Sequence, residues 1–309
     1  MVNIFVTGAT GFFGKNFVNK FKQSKNKLIC ISRTNLPNCS DFVEYVKGDL
    51  LSINDIRNIF EKYRPKIVIH SATEYPNKHS TKFKLFNSNY LTSINLLAVC
   101  IEFKITNFIN ISSASVYNSI NKCLTEIDDI NPKNNYSLAK YAFEELLSRF
   151  SQIGNFKAIS LRFFHVYGPF DHKYRLIPSV INSILNNFEK IKLLSSCEQE
   201  WDLIYIEDVV NLVESILKNI ENWNFETHEI FNVGSGISIK LQEVVYKIRE
   251  IMQSNIKIDF NHELGEMEFM KADISKLTNY FHWHPSYSLY QGLENTISYF
   301  EKIYESQSS

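Results

Sequence analysis

The chain has 309 residues, 44% of them apolar and 21% charged, values ordinary for a folded protein with a sizeable core, and its length suits about two domains. Lys+Arg and Asp+Glu both number 33, which offers no footprint for a nucleic-acid polymer or an anionic membrane, and no apolar run reaches the roughly 20 residues that a spanning helix needs. The five cysteines (Cys30, Cys39, Cys100, Cys123, Cys197) are scattered and form no CxxC pair, and the first residues begin a strand rather than a basic leader, so the chain reads as a cytoplasmic protein with reduced thiols.

Val2–Val6 is an apolar run of strand length. It meets Thr7-Gly8-Ala9-Thr10-Gly11-Phe12-Phe13-Gly14, a turn with glycines spaced GxxGxxG. Phe13, Phe17 and Phe21 then recur at helical spacing and give one apolar face. A strand, a glycine turn and a helix in that order bring backbone N–H groups and a helix N-terminus up to a pyrophosphate. Gly8 suits the tight turn, Gly11 a close ligand and Gly14 close helix packing. A glycine-rich turn that holds no ligand is the alternative reading.

Leu28–Ile31 reads as a second buried strand and Val43–Val46 as a third, followed by a polar turn at Gly48-Asp49. Ile53, Ile56, Ile59, Phe60 and Tyr63 give helical spacing, and Ile67–His70 is a fourth strand. A long helix is expected over about 83–103, a fifth strand at Phe108–Ile111, a helix from Tyr136 to about Gln152 and a sixth strand at Ala158–Phe163. Strand and helix alternate, so the fold class is α/β, with a parallel sheet covered by helices on both faces and ligands beyond the carboxyl ends of its strands. Gly8, Arg33, Asp49, Ala72 and Ser113 all fall there. After Gly168-Pro169 the pattern loosens: Ile177–Asn186 and Leu241–Met252 read as helices and Glu229–Val233 as a strand. The expected division is a first domain over 1–165, with the strand near 229–233 returning to it, and a smaller α/β domain over 166–309. His282-Trp283-His284 lacks an acidic or cysteine partner at ligand spacing and reads as a packed helix end rather than a metal site.

Tyr136 and Lys140 stand one helical turn apart on one face. An ammonium beside a phenol favours phenolate and brings its pKa from about 10 toward the range of a working proton-transfer group. Ile111-Ser112-Ser113-Ala114-Ser115 ends a strand and offers hydroxyls to a substrate oxygen. Each piece alone is common: YxxxK occurs by chance and serine runs often form turns. Their order along the chain, after the glycine turn, is what carries the signal.

That order resembles the extended short-chain dehydrogenase/reductase family, the nucleotide-sugar epimerases, dehydratases and reductases, and the likeness runs nearly the whole chain. Thr7–Gly14 matches TGATGFxG, Gly48-Asp49-Leu50 the adenine-contacting GDL, and Ile69-His70-Ser71-Ala72 the HxA segment. Asn89 with Asn95-Leu96-Leu97 matches NxxxxxNLL, Leu161–Pro169 is similar to LRxxNVYGP, Asp202–Val209 to DFIYVDDV and Phe231–Gly236 to YNVGSG. The resemblance implies a Rossmann-type doubly wound sheet and a catalytic set of Ser113, Tyr136 and Lys140. Ser112 is the neighbour one place away; aligning back from Val116-Tyr117 selects Ser113. It further implies a dinucleotide site at Thr7, Gly8, Thr10, Gly11, Phe12, Phe13, Gly14, Ser32, Arg33, Thr34, Asp49, Leu50, Ser71, Ala72, Thr73, Asn89, Ile111, Tyr136, Lys140, Phe163, His165 and Val166, and substrate contacts at Glu74, Ser113, Ser115, Tyr136, His165, Arg175 and Trp201.

Smaller features narrow the expectation. An NAD enzyme places an acid at the end of the second strand, whereas Ser32-Arg33-Thr34 offers a guanidinium and hydroxyls suited to a 2′-phosphate, so NADP(H) is favoured over NAD(H). If Arg33 only stacks on adenine, cofactor choice stays open. Ala114 and Ser115 replace the Asp-Glu that 4,6-dehydratases use for elimination. Ser32-Arg33, Ala72–Tyr75 and His165–Gly168 are most similar to the branch that reduces the C4 ketone of 4-keto-6-deoxy nucleotide sugars in surface-polysaccharide synthesis. In the wider family the position of His165 is Asn; a substrate contact and a satisfied polar residue beside the cofactor are both open readings. Two departures stand out: Trp201, and Glu263 in Glu263-Leu264-Gly265-Glu266, replace arginines that clamp the substrate diphosphate in the family, leaving Arg175 and Lys173 as candidate substitutes. The rival activities are a 4-epimerase with held NAD and a non-catalytic NADP-binding regulator. The family also implies a homodimer through a four-helix bundle, with Leu91, Leu96, Phe143 and Leu147 as candidate contacts or core residues.

Overall fold

A computed structural model of the chain describes residues 2–21, 26–34, 39–74, 82–117, 122–193, 199–260 and 269–308; the expectations at Tyr75, Cys197 and Glu263–Glu266 lie outside them. The N-terminal run forms β1 (Asn3–Thr7) and α1 (Phe12–Phe21), whose Phe13, Phe17 and Phe21 rings pack in series. There follow β2 (Lys27–Ser32), β3 (Val43–Lys47), α2 (Ile53–Tyr63), β4 (Ile67–His70), α3 (Lys82–Glu102) and β5 (Asn107–Ser113). After β6 (Lys122–Leu124) come α4 (Asn135–Gly154), β7 (Lys157–Phe163), β8 (His165–Tyr167), α5 (Leu176–Leu185), β9 (Lys190–Leu193), β10 (Glu200–Tyr205) and α6 (Ile206–Lys218). The chain continues through β11 (His228–Val233), β12 (Ser238–Lys240), α7 (Leu241–Ile251), β13 (Lys257–Phe260), β14 (Phe269–Ala272), α8 (Ser275–Phe281) and α9 (Leu289–Ser308).

Seven strands form one Rossmann-type sheet in the order β11-β7-β5-β4-β1-β2-β3. The ladders from β7 to β3 are parallel. The chain proceeds outward from β1 through β2 to β3, then jumps back to β4 and proceeds the other way. This reversal between β1 and β4 is a topological switch point, where the turns leaving both strands open a crevice at their carboxyl ends. Strands β1, β4, β5 and β7 are buried on both faces, as a sheet covered by helices on each side requires. Phe5, Phe60, Val68, Leu96, Phe108 and Phe143 meet in its core, with Phe5 and Phe60 edge to face at 4.9 Å.

Helix ends are set by local chemistry. Ser52 caps α2 through the Asp55 amide, and Arg64 ends it in the left-handed region. Asn134 and Ser137 form a reciprocal capping box that fixes where α4 begins, one residue before Tyr136.

The chain divides into two units. The first comprises Met1–Asn118, Glu126–Phe163 and Glu214–Phe231; the second comprises Ser119–Thr125, Phe164–Val213 and Asn232–Ser309. In the second unit β12, β10, β14 and β6 form a sheet, β8 also pairs β10, and β9 pairs β13. The turn Asn232–Gly236 is held by buried Asp202, which accepts from the Ser235 amide (2.6 Å) and hydroxyl (2.7 Å) and from the amides of Gly236 and Ala272 (both 3.0 Å). Asp208 accepts from Ser286 and Tyr287 in the same way. These motif acids are structural knots within the unit.

His282 ends α8 in the left-handed region and Trp283 is buried, so His282-Trp283-His284 is a packed helix end; among the described residues no cluster of His, Cys, Asp or Glu could hold a metal. Leu96, Phe143 and Leu147 are wholly buried in the core and cannot serve as contacts between copies, because they face the sheet; Leu91 on α3 is 45% exposed. No helix among the described residues is long and apolar enough to cross a membrane.

Candidate active site

The glycine turn distinguishes what the fold needs from what a ligand needs. Gly8 has φ +72°, and a Cβ there would meet the Ala72 amide at 2.6 Å. A Cβ at Gly14 would meet the Gly8 carbonyl at 2.1 Å and Ala9. Gly11 differs: its added Cβ would meet only the Gly8 carbonyl at 3.2 Å, so nothing else among the described residues requires a glycine there. Room for a close ligand would. The first turn of α1 carries no acid to compete for the helix N-terminus. The residues present therefore fit a dinucleotide pyrophosphate.

Behind the turn lies a buried hydrogen-bond chain that sequence reasoning matched as motif letters without seeing its wiring. Thr7 Oγ1 accepts from the amides of Ser71 and Ala72 (both 3.2 Å) and pairs with His70 Nδ1 (2.8 Å). His70 Nε2 meets Ser93 Oγ (3.0 Å), and Ser93 donates to the Asn89 carbonyl (2.8 Å). Asn89 accepts from the Glu74 amide (2.6 Å) and donates to the Glu74 carbonyl (3.0 Å), with Thr73 also donating to it (3.4 Å). Burial, with the Lys140 ammonium nearby, takes His70 down to about 3, so it is a neutral bridge. The chain ties the turns after β1 and β4 to α3.

At the outer edge, Arg33 and Thr34 are exposed beyond Ser32, and Arg33, Lys47, Gly48 and Asp49 line a cavity of about 550 Å³. Asp49 turns its carboxylate onto the Leu51 amide (3.0 Å), while Asn95 on α3 donates to the carbonyls of Leu50 (3.1 Å) and Leu51 (3.0 Å). Asn95 thus fixes the Gly48-Asp49-Leu50 turn, a role its place in the Asn95-Leu96-Leu97 motif could have signalled.

Ser112 and Ser113 end β5 with opposite fates. Ser112 is buried and gives its hydroxyl to Glu144. Ser113 is half-buried, and its Oγ lies 2.9 Å from Ser115 Oγ and accepts from the Ser115 amide. Strand alternation separates them. Lys140 donates to the Ile111 carbonyl at 2.7 Å, and its Nζ lies 5.9 Å from the Tyr136 ring centre. Burial brings the Lys140 ammonium down to about 8, while Glu144 opposes the fall. Tyr136 is half-buried, and Phe163 packs edge-on against Phe13 at 5.7 Å. Ser113, Tyr136 and Lys140 therefore gather where β5 ends and α4 begins, with hydroxyls that can hold an oxygen and a cation that can lower a phenol's pKa.

His165, Val166, Arg175 and Trp201 lie in the second unit. Trp201 on β10 stacks on His165 of the neighbouring β8, ring centres 4.1 Å apart. His165 Nδ1 is buried without a hydrogen-bond partner among the described residues, and burial with the Arg175 charge takes the ring down to about 3. Arg175 is paired with Asp171 at 3.2 Å, and Lys173 is exposed over Tyr174.

A sequence model of the NAD dependent epimerase/dehydratase family matches residues 4–234, most of the chain. A dTDP-D-glucose 4,6-dehydratase of Dictyostelium discoideum is 31% identical over 80% of this chain, which spans 62% of that relative. CDP-abequose synthase of Salmonella typhimurium is 25% identical over 95% of this chain and 97% of its own. The fold is that of the dTDP-glucose 4,6-dehydratase of Bacillus anthracis solved with NAD, with TM-score 0.87, 22% identity and coverage of 99% and 98% of the two chains. The chain belongs to the NAD dependent epimerase/dehydratase family and is an enzyme of the extended short-chain dehydrogenase/reductase type.

Proposed function

We propose that the protein is an NADPH-dependent reductase of the C4 ketone of a nucleotide-linked 4-keto-6-deoxy sugar. One feature supports the reading: Lys140, 5.9 Å from the Tyr136 ring on α4, binds the Ile111 carbonyl two residues before Ser113 at the end of β5, and Ser113 is followed by Ala114 and Ser115 rather than by an acid pair. Without that acid and base, the site is equipped to protonate an oxygen but not to drive elimination of water. The similarity to CDP-abequose synthase over almost its full length supports the same reading, while the similarity to 4,6-dehydratases supports only the shared cofactor chemistry.

When bound, the nicotinamide supplies the hydride. Ser113 hydrogen-bonds the ketone oxygen, and Tyr136 gives it a proton. Lys140 holds its ammonium near the phenol and eases loss of that proton. Gly8, Gly11 and the N-terminus of α1 hold the pyrophosphate, and Arg33 reads the adenosine 2′-phosphate in preference to NAD. On this reading the first unit binds the cofactor and the second binds most of the sugar nucleotide. Arg175 supplies the cation for the diphosphate, and His165 with Trp201 forms the wall beside the sugar or base. The enzyme acts in the cytoplasm, and two copies pair through α3 and α4, on which Leu91 and Leu138 are 45% and 43% exposed.

The test uses CDP- and dTDP-linked 4-keto-6-deoxyglucose with NADPH and NADH in parallel. One NADPH is consumed per ketone reduced, and Tyr136→Phe lowers kcat about 10²–10⁴-fold with unchanged NADPH affinity. A protein that copurifies with NAD and interconverts 4-epimers without added cofactor is a 4-epimerase instead. NADPH binding with no turnover on any keto sugar makes it a regulator, a reading that the Trp201 substitution in the diphosphate clamp favours.

A further inference from the structure

Below the proposed proton machinery, α4 is fastened to the end of β5 by two side chains one turn apart. Lys140 donates to the Ile111 carbonyl at 2.7 Å, and Glu144 accepts from the hydroxyl of the next strand residue, Ser112. Glu144 also takes Arg162 of β7, whose Nη2 lies 2.7 Å from Oε2 and whose Nε lies 3.2 Å from both carboxylate oxygens. Arg162 Nη1 continues to the Tyr117 hydroxyl at 2.9 Å and to the Glu126 carbonyl at 3.3 Å. Its guanidinium also lies over the Tyr117 ring at 4.8 Å. Tyr117 closes the short turn Ala114–Val116 that follows Ser113, its amide donating to Ala114. Ser112, Glu144, Arg162 and Tyr117 are all at most 3% exposed.

The turn that carries Ser113 is therefore gripped on both sides, at Ser112 by Glu144 and at Tyr117 by Arg162. An apolar pair of the same volume would stabilise the fold as well or better, because a buried ion pair loses its hydration to form. An apolar pair could not give Ser112 an acceptor, Tyr117 a donor, or Lys140 a negative charge one turn away. We propose that the Glu144–Arg162 pair is the positioning device of the reaction: it sets the Ser113 hydroxyl against that of Tyr136 and keeps Lys140 charged, without touching substrate or cofactor. The proposal rests on the reading of Ser113, Tyr136 and Lys140 as the proton machinery.

Among the described residues, few charged and titratable groups face Lys140. Tyr136 and Glu144 flank it on α4, neutral His70 approaches from β4, and Arg162 on β7 stands behind Glu144. Burial works against the ammonium and Glu144 for it, so loss of the carboxylate charge releases the Lys140 proton at lower pH.

The experiment compares Glu144→Gln and Ser112→Ala with the wild type by thermal unfolding, NADPH titration, the pH profile of kcat on CDP- or dTDP-linked 4-keto-6-deoxyglucose, and ¹³C NMR of lysine Cε, with the Lys140 signal assigned by Lys140→Arg. In Glu144→Gln the Lys140 midpoint and the alkaline limb of kcat both move to lower pH. In Ser112→Ala kcat falls about tenfold with NADPH affinity held and the limb unmoved. Unchanged kcat in Ser112→Ala, or an unmoved Lys140 midpoint in folded Glu144→Gln, overturns the proposal. If Glu144→Gln does not fold, Ser112→Ala decides alone. The NMR midpoint needs no turnover, so a wild type that reduces no keto sugar overturns the ketoreductase reading while the midpoint still judges the pair.

Discussion

His165 and Trp201 lie face to face, their ring centres 4.1 Å apart and their planes parallel. The stack joins two departures noted separately in the sequence, a histidine where the family has Asn and a tryptophan where it has Arg. Under the proposed function, a flat ring pair with one ring nitrogen unpartnered among the described residues stands where the family has a cation, and the substrate would be held there by stacking and a single hydrogen bond. Trp201→Ala is expected to raise the KM of the keto-sugar nucleotide about tenfold, the scale of a lost aromatic contact, and to leave the NADPH KM unchanged. Because His165 stays neutral down to about 3, kcat/KM measured between pH 5 and 8 carries no inflection from it; an inflection that vanishes in His165→Asn contradicts this assignment.

Arg33 is exposed and lines a cavity with Lys47 and Asp49. A hydrogen bond to a charged group contributes about 1.5–3 kcal/mol, or roughly 10–100-fold in affinity. Arg33→Ala is expected to weaken NADPH by that factor and to leave NADH within about twofold. Equal losses for both cofactors would mean that the side chain stacks on adenine and reads no phosphate. Steady-state kinetics with the two cofactors separates these outcomes.

Gly11 and Gly14 have the same side chain and different reasons for it. Gly14→Ala drives a methyl group into the Gly8 carbonyl and is expected to cost about 1–3 kcal/mol or more in urea unfolding. Gly11→Ala meets one atom at 3.2 Å and should unfold within about 1 kcal/mol of the wild type, while NADPH affinity falls tenfold or more. A Gly11→Ala protein that keeps its affinity would place the pyrophosphate elsewhere.

His70 links stability to pH. Its pKa is depressed from 6.5 to about 3 in the folded protein. At pH 7 the ring is neutral in both states. Below 6.5 the unfolded chain takes up a proton that the folded one refuses, so stability falls by about 1.4 kcal/mol per pH unit between 6.5 and 3, or about 2 kcal/mol by pH 5. His70→Gln loses hydrogen bonds to Thr7 and Ser93 and is less stable at pH 7, but its stability should fall less steeply on acidification. Urea titrations of both proteins at pH 7 and pH 5 measure the difference; equal slopes would show that His70 is protonated in the fold.

Much of this was legible in one dimension. The strands and helices of the first unit follow from hydrophobic runs and helical periodicity, because burial on both faces of a parallel sheet selects continuous apolar strands. The Tyr136–Lys140 face was visible because four residues make one turn. Aligning back from Val116-Tyr117 selects Ser113 over Ser112, but the pattern does not show that the two hydroxyls have different partners. Their opposite environments come from strand alternation combined with the placement of Glu144 and Arg162 on other elements. The candidate contacts Leu96, Phe143 and Leu147 were equally indistinct, since an apolar helix position reads alike whether it meets the sheet or another copy, and only the packing of α3 and α4 assigns them to the core.

Local spacing was enough for the family and for the alternation of strands and helices in the first unit, and it singled out the candidates for the chemistry: a glycine turn after a strand, a phenol and an amine one turn apart. Tertiary structure alone decided which side chains meet across distant segments. It joined Thr7, His70, Ser93 and Asn89 into one chain, set Glu144 against Arg162 beneath Ser113, and laid Trp201 on His165. Such contacts depend on register between strands and on packing between elements many residues apart, and no local pattern encodes either.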